Sequence, residues 1–278
     1  MTTTATSPAT TSAGPPAGGY PSSPLSRLRW AVSDAAAITG RNVLAYVRLP
    51  QLVVFSTIQP IMFVLIFRYV FGGAIQVPGE SFVNYLMPGI FVQSVAFGAV
   101  GTGIGLATDM GTGLVERFRS LPMARSAVLA GRTFADLLRN VFVVILMVVV
   151  GYLVGFRVQT SVPAFVAGLG VLLIFGYAVS WVFSLVGMSA KNAETAQAIA
   201  FPTLFPLVFA SSAFVPVETM PGWLQAFAEN QPVSITVDAA RALMLGGPTT
   251  SPVLQSLAWS AGILAVFGTL AVRRYRRA

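Results

Sequence analysis

Residues 162–186 read VPAFVAGLGVLLIFGYAVSWVFSLV, and this stretch decides the fold because none of its 25 residues is charged. A helix needs about 20 mostly apolar residues to cross a bilayer, so the stretch predicts a transmembrane helix. Five further runs are apolar enough and long enough to cross: 52–71, 86–108, 133–156, 195–217 and 253–272. The predicted fold class is therefore an all-α integral membrane protein, with a six-span transmembrane domain in residues 50–278.

The amino-acid composition excludes several classes of protein. Hydrophobic residues make up 55% of the 278-residue chain and charged residues only 9%, whereas soluble domains carry about 25% charged residues. The mean hydropathy of +0.76 excludes a soluble globule. Because the chain has no cysteine and no histidine, disulfides, thiol nucleophiles, histidine-based triads and the usual zinc ligands are excluded too. The sequence therefore predicts no metal site and no catalytic residue.

Two segments precede the first predicted span. Residues 1–24 are mainly Thr, Ser, Ala, Pro and Gly without a charge, which predicts a disordered cytoplasmic tail. Residues 25–49 mix apolar side chains with charged ones, namely Arg27, Arg29, Asp34, Arg41 and Arg48. This segment is too polar to span, and it predicts an amphipathic helix in the membrane interface with its arginines toward lipid phosphates. A soluble helix packed on a partner is the alternative.

The basic residues predict the orientation in the membrane. With a cytoplasmic N-terminus, thirteen of the 17 basic residues lie inside: Arg27, Arg29, Arg41, Arg48, Arg117, Arg119, Arg125, Arg132, Lys191, Arg273, Arg274, Arg276 and Arg277. Only Arg157 and Arg241 lie outside, beside four acidic residues. Cytoplasmic loops carry an excess of Lys and Arg, so both termini are predicted to be cytoplasmic. Charge spread along one membrane face forms no groove, which excludes nucleic acid as a partner.

The longer cytoplasmic loop, residues 109–132, contains an amphipathic pattern. One side of a helix would carry Leu114, Val115, Phe118 and Leu121, and the other side Glu116, Arg117 and Arg119. Pro122 would end this helix. The pattern favours two interpretations equally: a helix parallel to the membrane that a peripheral partner grips, or a solvated loop whose arginines only set the topology.

The long external loop, residues 218–252, is apolar but broken by proline and glycine. Its apolar pieces are too short to cross a bilayer. They predict a re-entrant helical hairpin that enters the outer leaflet and returns, which requires cover by protein or a watery cavity. A pair of helices lying on the surface is the alternative.

Some residues within the predicted spans are candidates for function. Asp136 and Arg139 are three residues apart, so they can pair on one helix face. Either they relay motion into the bundle or they form a structural ion pair, which is the favoured interpretation. Polar and aromatic residues on the second and fifth spans suit a pathway for a bulky amphipathic molecule: Phe91, Gln93, Phe97, Phe201 and Phe205. Glycines at 98, 101, 103 and 105 predict close helix contacts, within the chain or between two copies.

Two motifs in this order resemble a known family. GLVERFRSLPMARSAVLAGR follows the second span, and MPGWLQAFAENQPVSITVDAARALMLGG follows the fifth. Together they resemble the permease subunits of type-2 ABC exporters, of the daunorubicin-resistance type, from residue 25 to the C-terminus. In that family the first motif is a coupling helix that docks on a separate ATP-binding subunit, residues before the first span form a connecting helix, and the external hairpin seals the exit.

The resemblance also implies roles for individual residues. Glu116, Arg117 and Arg119 would make polar contacts with the ATP-binding subunit. Leu121 and Met123 would pack into its groove, beside Pro122. A structural role in the external hairpin is implied for four residues: Pro221, Trp223, Asn230 and Pro232.

The source of energy must lie outside this chain. A Walker A motif needs Gly-Lys followed by Ser or Thr, and the only lysine, Lys191, lies in SAKNA. The largest cytoplasmic loop, 109–132, has 24 residues, fewer than the roughly 50 that a domain needs. A partner chain would therefore bind ATP and Mg²⁺, unless an ion gradient drives the protein. A gradient favours acids in the central parts of the spans, and this chain has none there.

These observations predict the permease subunit of an ATP-driven exporter that moves amphipathic drugs or lipids outward. The predicted assembly has two ATP-binding subunits and a second permease, identical or a sister chain, in contact with membrane lipid. A single lysine among 17 basic residues, with abundant Ala, Val and Gly, indicates a bacterial plasma membrane. The alternatives are a gradient-driven secondary transporter, which predicts inverted repeats, and a membrane-embedded transferase or scaffold, which predicts clustered acids or metal ligands.

Overall fold

The computed structural model describes residues 24–48, 50–73, 75, 77, 79–113 and 125–277. All regular secondary structure in these residues is helical. The predicted tail, residues 1–24, lies outside the described residues apart from Pro24. The helix-only architecture agrees with the predicted fold class.

Nine α-helices follow one another along the described chain. They are α1 Pro24–Arg48, α2 Pro50–Leu65, α3 Phe82–Gly111, α4 Arg125–Leu153, α5 Val162–Ser189, α6 Ala193–Phe209, α7 Gly222–Asn230, α8 Pro232–Leu245 and α9 Thr250–Arg277. A π-helical segment, Ile66–Phe71, continues α2, and a short 3₁₀ helix, Val217–Thr219, precedes α7.

Four of the described helices are long and apolar enough to cross a membrane: Phe82–Gly111, Val128–Leu153, Val162–Ser189 and Thr250–Tyr275. They correspond to the second, third, fourth and sixth predicted spans. The first predicted span falls on a shorter apolar helix, Ser56–Phe71, and the fifth on α6, which has 17 residues. Length and composition therefore support four of the predicted spans, and the complete set of six stays a prediction.

The fifth predicted span and the observed helix end at different residues. The charge-free run continues to residue 217, but α6 ends at Phe209 and the chain turns at residues 210–214. The Ser212 amide donates to Ser234 Oγ at 3.1 Å, and the Ser212 hydroxyl donates to Asp238 at 2.8 Å. Because α8 supplies these partners from more than 20 residues away, hydropathy along the chain does not reveal the turn.

The helix α3 lies at the centre of the bundle. It packs against α4, α5, α6 and α8, and most of its side chains are buried. At its crossing with α5, a Cβ on Gly103 would lie 2.5 Å from the Phe183 carbonyl oxygen. A Cβ on Gly187 would in turn overlap the backbone of Gly103. These glycines therefore serve a close contact within the chain.

The amphipathic helix α1 packs along α4. Thr39 donates to the Gly131 carbonyl oxygen at 3.0 Å, and Ile38 and Asn42 are buried on the same face. The other face leaves Trp30 exposed. The predicted amphipathic segment is thus a helix with one face against the bundle, and its position in a membrane interface stays a prediction.

Candidate functional site

A polar cavity lies between α2, α3 and α4, among helices that are otherwise apolar. Its volume is about 130 Å³. The lining residues are Ser56, Gln59, Pro60, Gln93, Ser94, Phe97, Gly98, Gly101 and Arg139. Two of the predicted pathway residues, Gln93 and Phe97, therefore line one cavity together with one member of the predicted ion pair, Arg139. This site is called the polar cavity below.

Glycines of α3 make room for the polar side chains of α4 at the polar cavity. A Cβ on Gly98 would overlap Asn140 Oδ1, and a Cβ on Gly101 would lie 3.0 Å from Arg139 Nη1. The absence of side chains at these two positions lets Arg139 donate to the Gly98 carbonyl oxygen at 2.6 Å. The glycine pattern in the sequence therefore predicts a packing contact, and the structure places the largely buried Arg139 guanidinium in this contact.

Arg139, which lines the polar cavity, pairs with Asp136 on the same helix. Arg139 Nη1 is 3.8 Å from Asp136 Oδ1, and Asp136 is 1% exposed. The Tyr46 hydroxyl donates to the same Asp136 oxygen, and the Arg139 guanidinium lies 5.6 Å from the centre of the Tyr46 ring. Burial raises the pKa of Tyr46, and the nearby Asp136 carboxylate acts in the same direction.

Tyr46 is a residue that sequence reasoning missed. It lies on α1, which the charge pattern describes as an interfacial helix, whereas its hydroxyl meets a carboxylate on α4. The phenol links the helix before the first span to the ion pair, and this contact joins residues 90 positions apart. No local pattern in the sequence indicates such a long-range contact.

The aromatic candidates for the pathway separate into two places. Phe97 contacts Phe201 on α6, with ring centres 5.9 Å apart, and Phe205 stacks on Phe209 at 4.1 Å. Phe205 is half exposed. Phe91 is fully buried and meets Phe156 edge to face, so the structure places it in the core.

A second polar site ties the predicted external hairpin, α7 and α8, to the bundle. The Arg241 guanidinium donates to Asp238 at 2.8 Å and to the Ser212 carbonyl oxygen at 2.7 Å, and it lies 3.8 Å from the centre of the Tyr85 ring. The Tyr85 hydroxyl donates to the same Ser212 oxygen at 3.0 Å. These four residues are called the hairpin cluster below.

The hairpin cluster has a perturbed carboxyl group. Burial raises the pKa of Asp238, while the Arg241 guanidinium and the hydrogen bond from Ser212 lower it. In the sequence analysis, Asp238 and Arg241 are treated only as charged residues of the predicted external loop. Their spacing of three residues on a helix is the signal that predicts a pair.

The four predicted hairpin residues lie at the ends of α7, within α7 and at the start of α8. The Pro221 carbonyl accepts from Leu224 at 2.8 Å at the start of α7, and Asn230 donates to the Ala226 carbonyl at its end at 2.9 Å. Pro232 is the first residue of α8. Trp223 is 77% exposed. Within the described part of the chain, no side-chain hydrogen bond, ion pair or ring contact joins these four residues to a residue outside the hairpin. Their roles stay a prediction.

The neighbouring residue Gln231 makes the contacts that join the hairpin to α6. Its side-chain nitrogen donates to the Leu207 carbonyl oxygen at 2.9 Å, and its side-chain oxygen accepts from the Val233 amide at 3.0 Å. One carboxamide therefore caps the end of α6 and the start of α8. Sequence reasoning missed this residue, although a polar side chain before a proline at a helix start is a capping signal.

The predicted coupling residues lie outside the described residues. They are Glu116, Arg117, Arg119, Leu121, Pro122 and Met123. The helices on either side are described, and they are tied together by an ion pair between Asp109 of α3 and Arg132 of α4. The segment thus connects the ends of two helices that are fixed to each other.

A bundle of apolar helices that surrounds an ion pair and a polar cavity is typical of a membrane protein, because such groups are costly in contact with lipid. Residues 34–245 match the family model described as ABC-2 type transporter. The chain belongs to the ABC-2 type transporter family. It is therefore a membrane permease of an ABC transporter and not itself an enzyme, and this family implies an ATP-binding partner.

Curated relatives match most of the chain. A daunorubicin resistance ABC transporter permease protein of Streptomyces coeruleorubidus is 38% identical over 246 residues, which are 88% of this chain and 87% of the relative. A probable doxorubicin resistance ABC transporter permease protein of Mycobacterium tuberculosis H37Rv is 29% identical over 254 residues, 89% and 90% of the two chains. A putative transport permease of Pyropia yezoensis is 25% identical over 219 residues, 76% and 74% of the two chains.

Proposed function

We propose that this chain is the permease subunit of an ATP-driven exporter that moves amphipathic drugs or lipids out of the cell. The observation that carries the proposal is similarity over nearly nine-tenths of the chain to permeases named for daunorubicin and doxorubicin resistance. The polar cavity supports it, because an amphipathic substrate needs polar groups within an apolar bundle. Membership in an ABC family also argues against a gradient-driven transporter.

In this proposal, two ATP-binding subunits bind ATP and Mg²⁺ and drive a pair of permeases, either identical or sister chains. The coupling residues Glu116 and Arg119 dock on each ATP-binding subunit, and Leu121 packs into its groove. Motion passes into the bundle through the Asp109–Arg132 ion pair, which fixes α3 to α4 beside the docking segment.

The proposed orientation places both termini in the cytoplasm of a bacterial cell and the hairpin outside. Its support is the charge distribution, since thirteen of the 17 basic residues lie in segments that this orientation places inside. The hairpin cluster and the Asp109–Arg132 pair lie at opposite ends of α3, as an external hairpin and a cytoplasmic docking segment require. The re-entrant position of the hairpin is part of the proposal, supported by the burial of most of α8.

Accumulation of daunorubicin in the native host tests the proposed function. Deleting the chain is expected to raise cellular daunorubicin, and the wild-type chain is expected to restore efflux. The double variant Glu116→Ala/Arg119→Ala is expected not to restore it, because the ATP-binding subunit would no longer transmit its motion. Unchanged accumulation of daunorubicin and of a panel of amphipathic lipids after deletion would contradict the proposal.

A further inference from the structure

Packing alone does not account for two polar groups at the polar cavity. Gln93 is 2% exposed, and its side-chain oxygen has no hydrogen-bond partner among the described residues. Arg139 Nε is likewise buried without a described partner. Both residues line the cavity. Both atoms are sealed from the cavity in this conformation, although buried polar groups are almost always paired. A rotation of either side chain would therefore present an acceptor or a donor to a molecule that enters the cavity.

The size of the polar cavity limits what can enter. Its volume is about 130 Å³, while a cavity of about 150 Å³ in another protein holds benzene. One six-membered ring therefore fits, and a larger substrate would have to leave its remaining part outside. Gln59 lines the cavity and is exposed, so the cavity opens beside α2.

The charges around the polar cavity favour a neutral group. Arg139 is the only ionisable residue among the lining residues. Arg139 Nη1 lies 3.8 Å from Asp136 Oδ1, and Arg139 Nη2 donates to the Gly98 carbonyl oxygen at 2.6 Å. An anion would have to compete with Asp136, and a cation would be repelled by Arg139. Phe97 adds an apolar ring face to the lining.

We propose that the polar cavity binds one neutral ring of the transported amphipathic substrate. The Gln93 and Arg139 side chains turn toward the ring, so that a ring hydroxyl donates to Gln93 Oε1 and a ring carbonyl or hydroxyl oxygen accepts from Arg139 Nε. The ring packs against Phe97, with the rest of the substrate beside α2. This inference rests on the proposed function and adds to it the chemical class of the bound group and the residues that select it.

Single cysteines test access to the polar cavity without background, since the chain has no cysteine. Ser94 lines the cavity and donates to its own helix at 2.7 Å. Ser184 of α5 is its matched control, because it is buried and makes the same local bond at 2.8 Å without lining the cavity. In the full chain in lipid nanodiscs, a water-soluble methanethiosulfonate is expected to label Ser94→Cys at least tenfold faster than Ser184→Cys.

Ligand protection tests the chemical class. Saturating daunorubicin, the compound in the name of one relative, is expected to slow labelling of Ser94→Cys at least fivefold. Gln93→Leu is expected to weaken daunorubicin binding at least tenfold, and Gln255→Leu on the exposed face of α9 to leave it unchanged. A short-chain phosphatidate is expected to give no protection.

Three results would overturn the inference: equal labelling of the two cysteines, no protection by daunorubicin, or protection by the phosphatidate in place of daunorubicin. Undiminished affinity of Gln93→Leu would also overturn it. These outcomes are separable from the proposed function, which the accumulation of daunorubicin in cells tests independently. Normal efflux with no protection at Ser94→Cys would remove this binding site and leave the exporter.

Discussion

At the scale of single residues, the contact between α3 and α5 depends on the absence of a Cβ at Gly103. We expect Gly103→Ala to destabilise the protein by about 1–3 kcal/mol, because the new Cβ would lie 2.5 Å from the Phe183 carbonyl oxygen. The measurement is the thermal midpoint of unfolding in detergent.

The control for this substitution is Gly170→Ala on α5, where a Cβ meets nothing within 4 Å. Alanine is the better helix former by about 1 kcal/mol, so the control is expected to be neutral or stabilising. Equal thermal midpoints for Gly103→Ala and the wild type would show that the two helices do not meet as closely as described.

Arg241 holds the hairpin cluster together. Arg241→Met removes the charge-assisted hydrogen bonds to Asp238 and Ser212. The bond to the Ser212 carbonyl oxygen contributes about 1.5–3 kcal/mol, and the bond to Asp238, whose side chain is 44% exposed, contributes less. We expect the thermal midpoint in detergent to fall clearly. Arg241→Lys is expected to recover only part of the loss, because an ammonium cannot present the planar fork of a guanidinium.

The matched control for Arg241 is Arg157→Met at the same end of the bundle. Among the described residues, the Arg157 side chain donates only to the carbonyl oxygens of Tyr152 and Phe156 nearby in the chain. Its loss is expected to change the midpoint little. A drop as large for Arg157→Met as for Arg241→Met would mean that the hairpin cluster has no special role in stability.

At the scale of helices, the sequence predicts best where a charge-free run and a helix coincide. The predicted span 162–186 lies within Val162–Ser189, and 86–108 lies within Phe82–Gly111. The prediction is least accurate at 195–217, since hydropathy continues past the end of α6 at Phe209. The turn there depends on Ser234 and Asp238, which are distant in sequence.

Gln231 is expected to stabilise the end of α6 and the start of α8. Gln231→Leu removes the caps on Leu207 and Val233, and loss of a cap costs about 0.5–2 kcal/mol. We expect faster amide hydrogen exchange at the end of α6 and the start of α8, with α9 unchanged. Gln225→Leu is the control, because the exposed Gln225 side chain donates, among the described residues, only to Glu229 of its own helix at 2.8 Å. The same exchange pattern in both variants would contradict the capping role.

At the candidate site, sequence reasoning identified residue types better than their partners. Gln93, Phe97 and Arg139 meet at the polar cavity. Gln93 and Arg139 were predictable as candidates because a polar side chain in an apolar run is a visible signal. Tyr46 and Gln231 were not predicted. Their contacts join separate elements, and such pairings leave no mark on composition or on the spacing of neighbouring residues.

At the scale of the whole molecule, we propose that this chain is one subunit of a larger assembly. Family membership over residues 34–245 implies an ATP-binding partner. The proposed docking segment connects α3 to α4 next to the Asp109–Arg132 ion pair. An external force applied at this segment would therefore reach α3, which lies at the centre of the bundle.

The most direct measurement is purification of the tagged chain from its native membrane in mild detergent, with mass spectrometry of the proteins that accompany it. An ATP-binding subunit is expected to accompany the wild type and the control double variant Arg157→Ala/Glu229→Ala. That subunit is expected to be lost with Glu116→Ala/Arg119→Ala. Absence of any ATP-binding subunit under conditions that preserve other membrane complexes, or its equal recovery with both double variants, would contradict the proposed permease function.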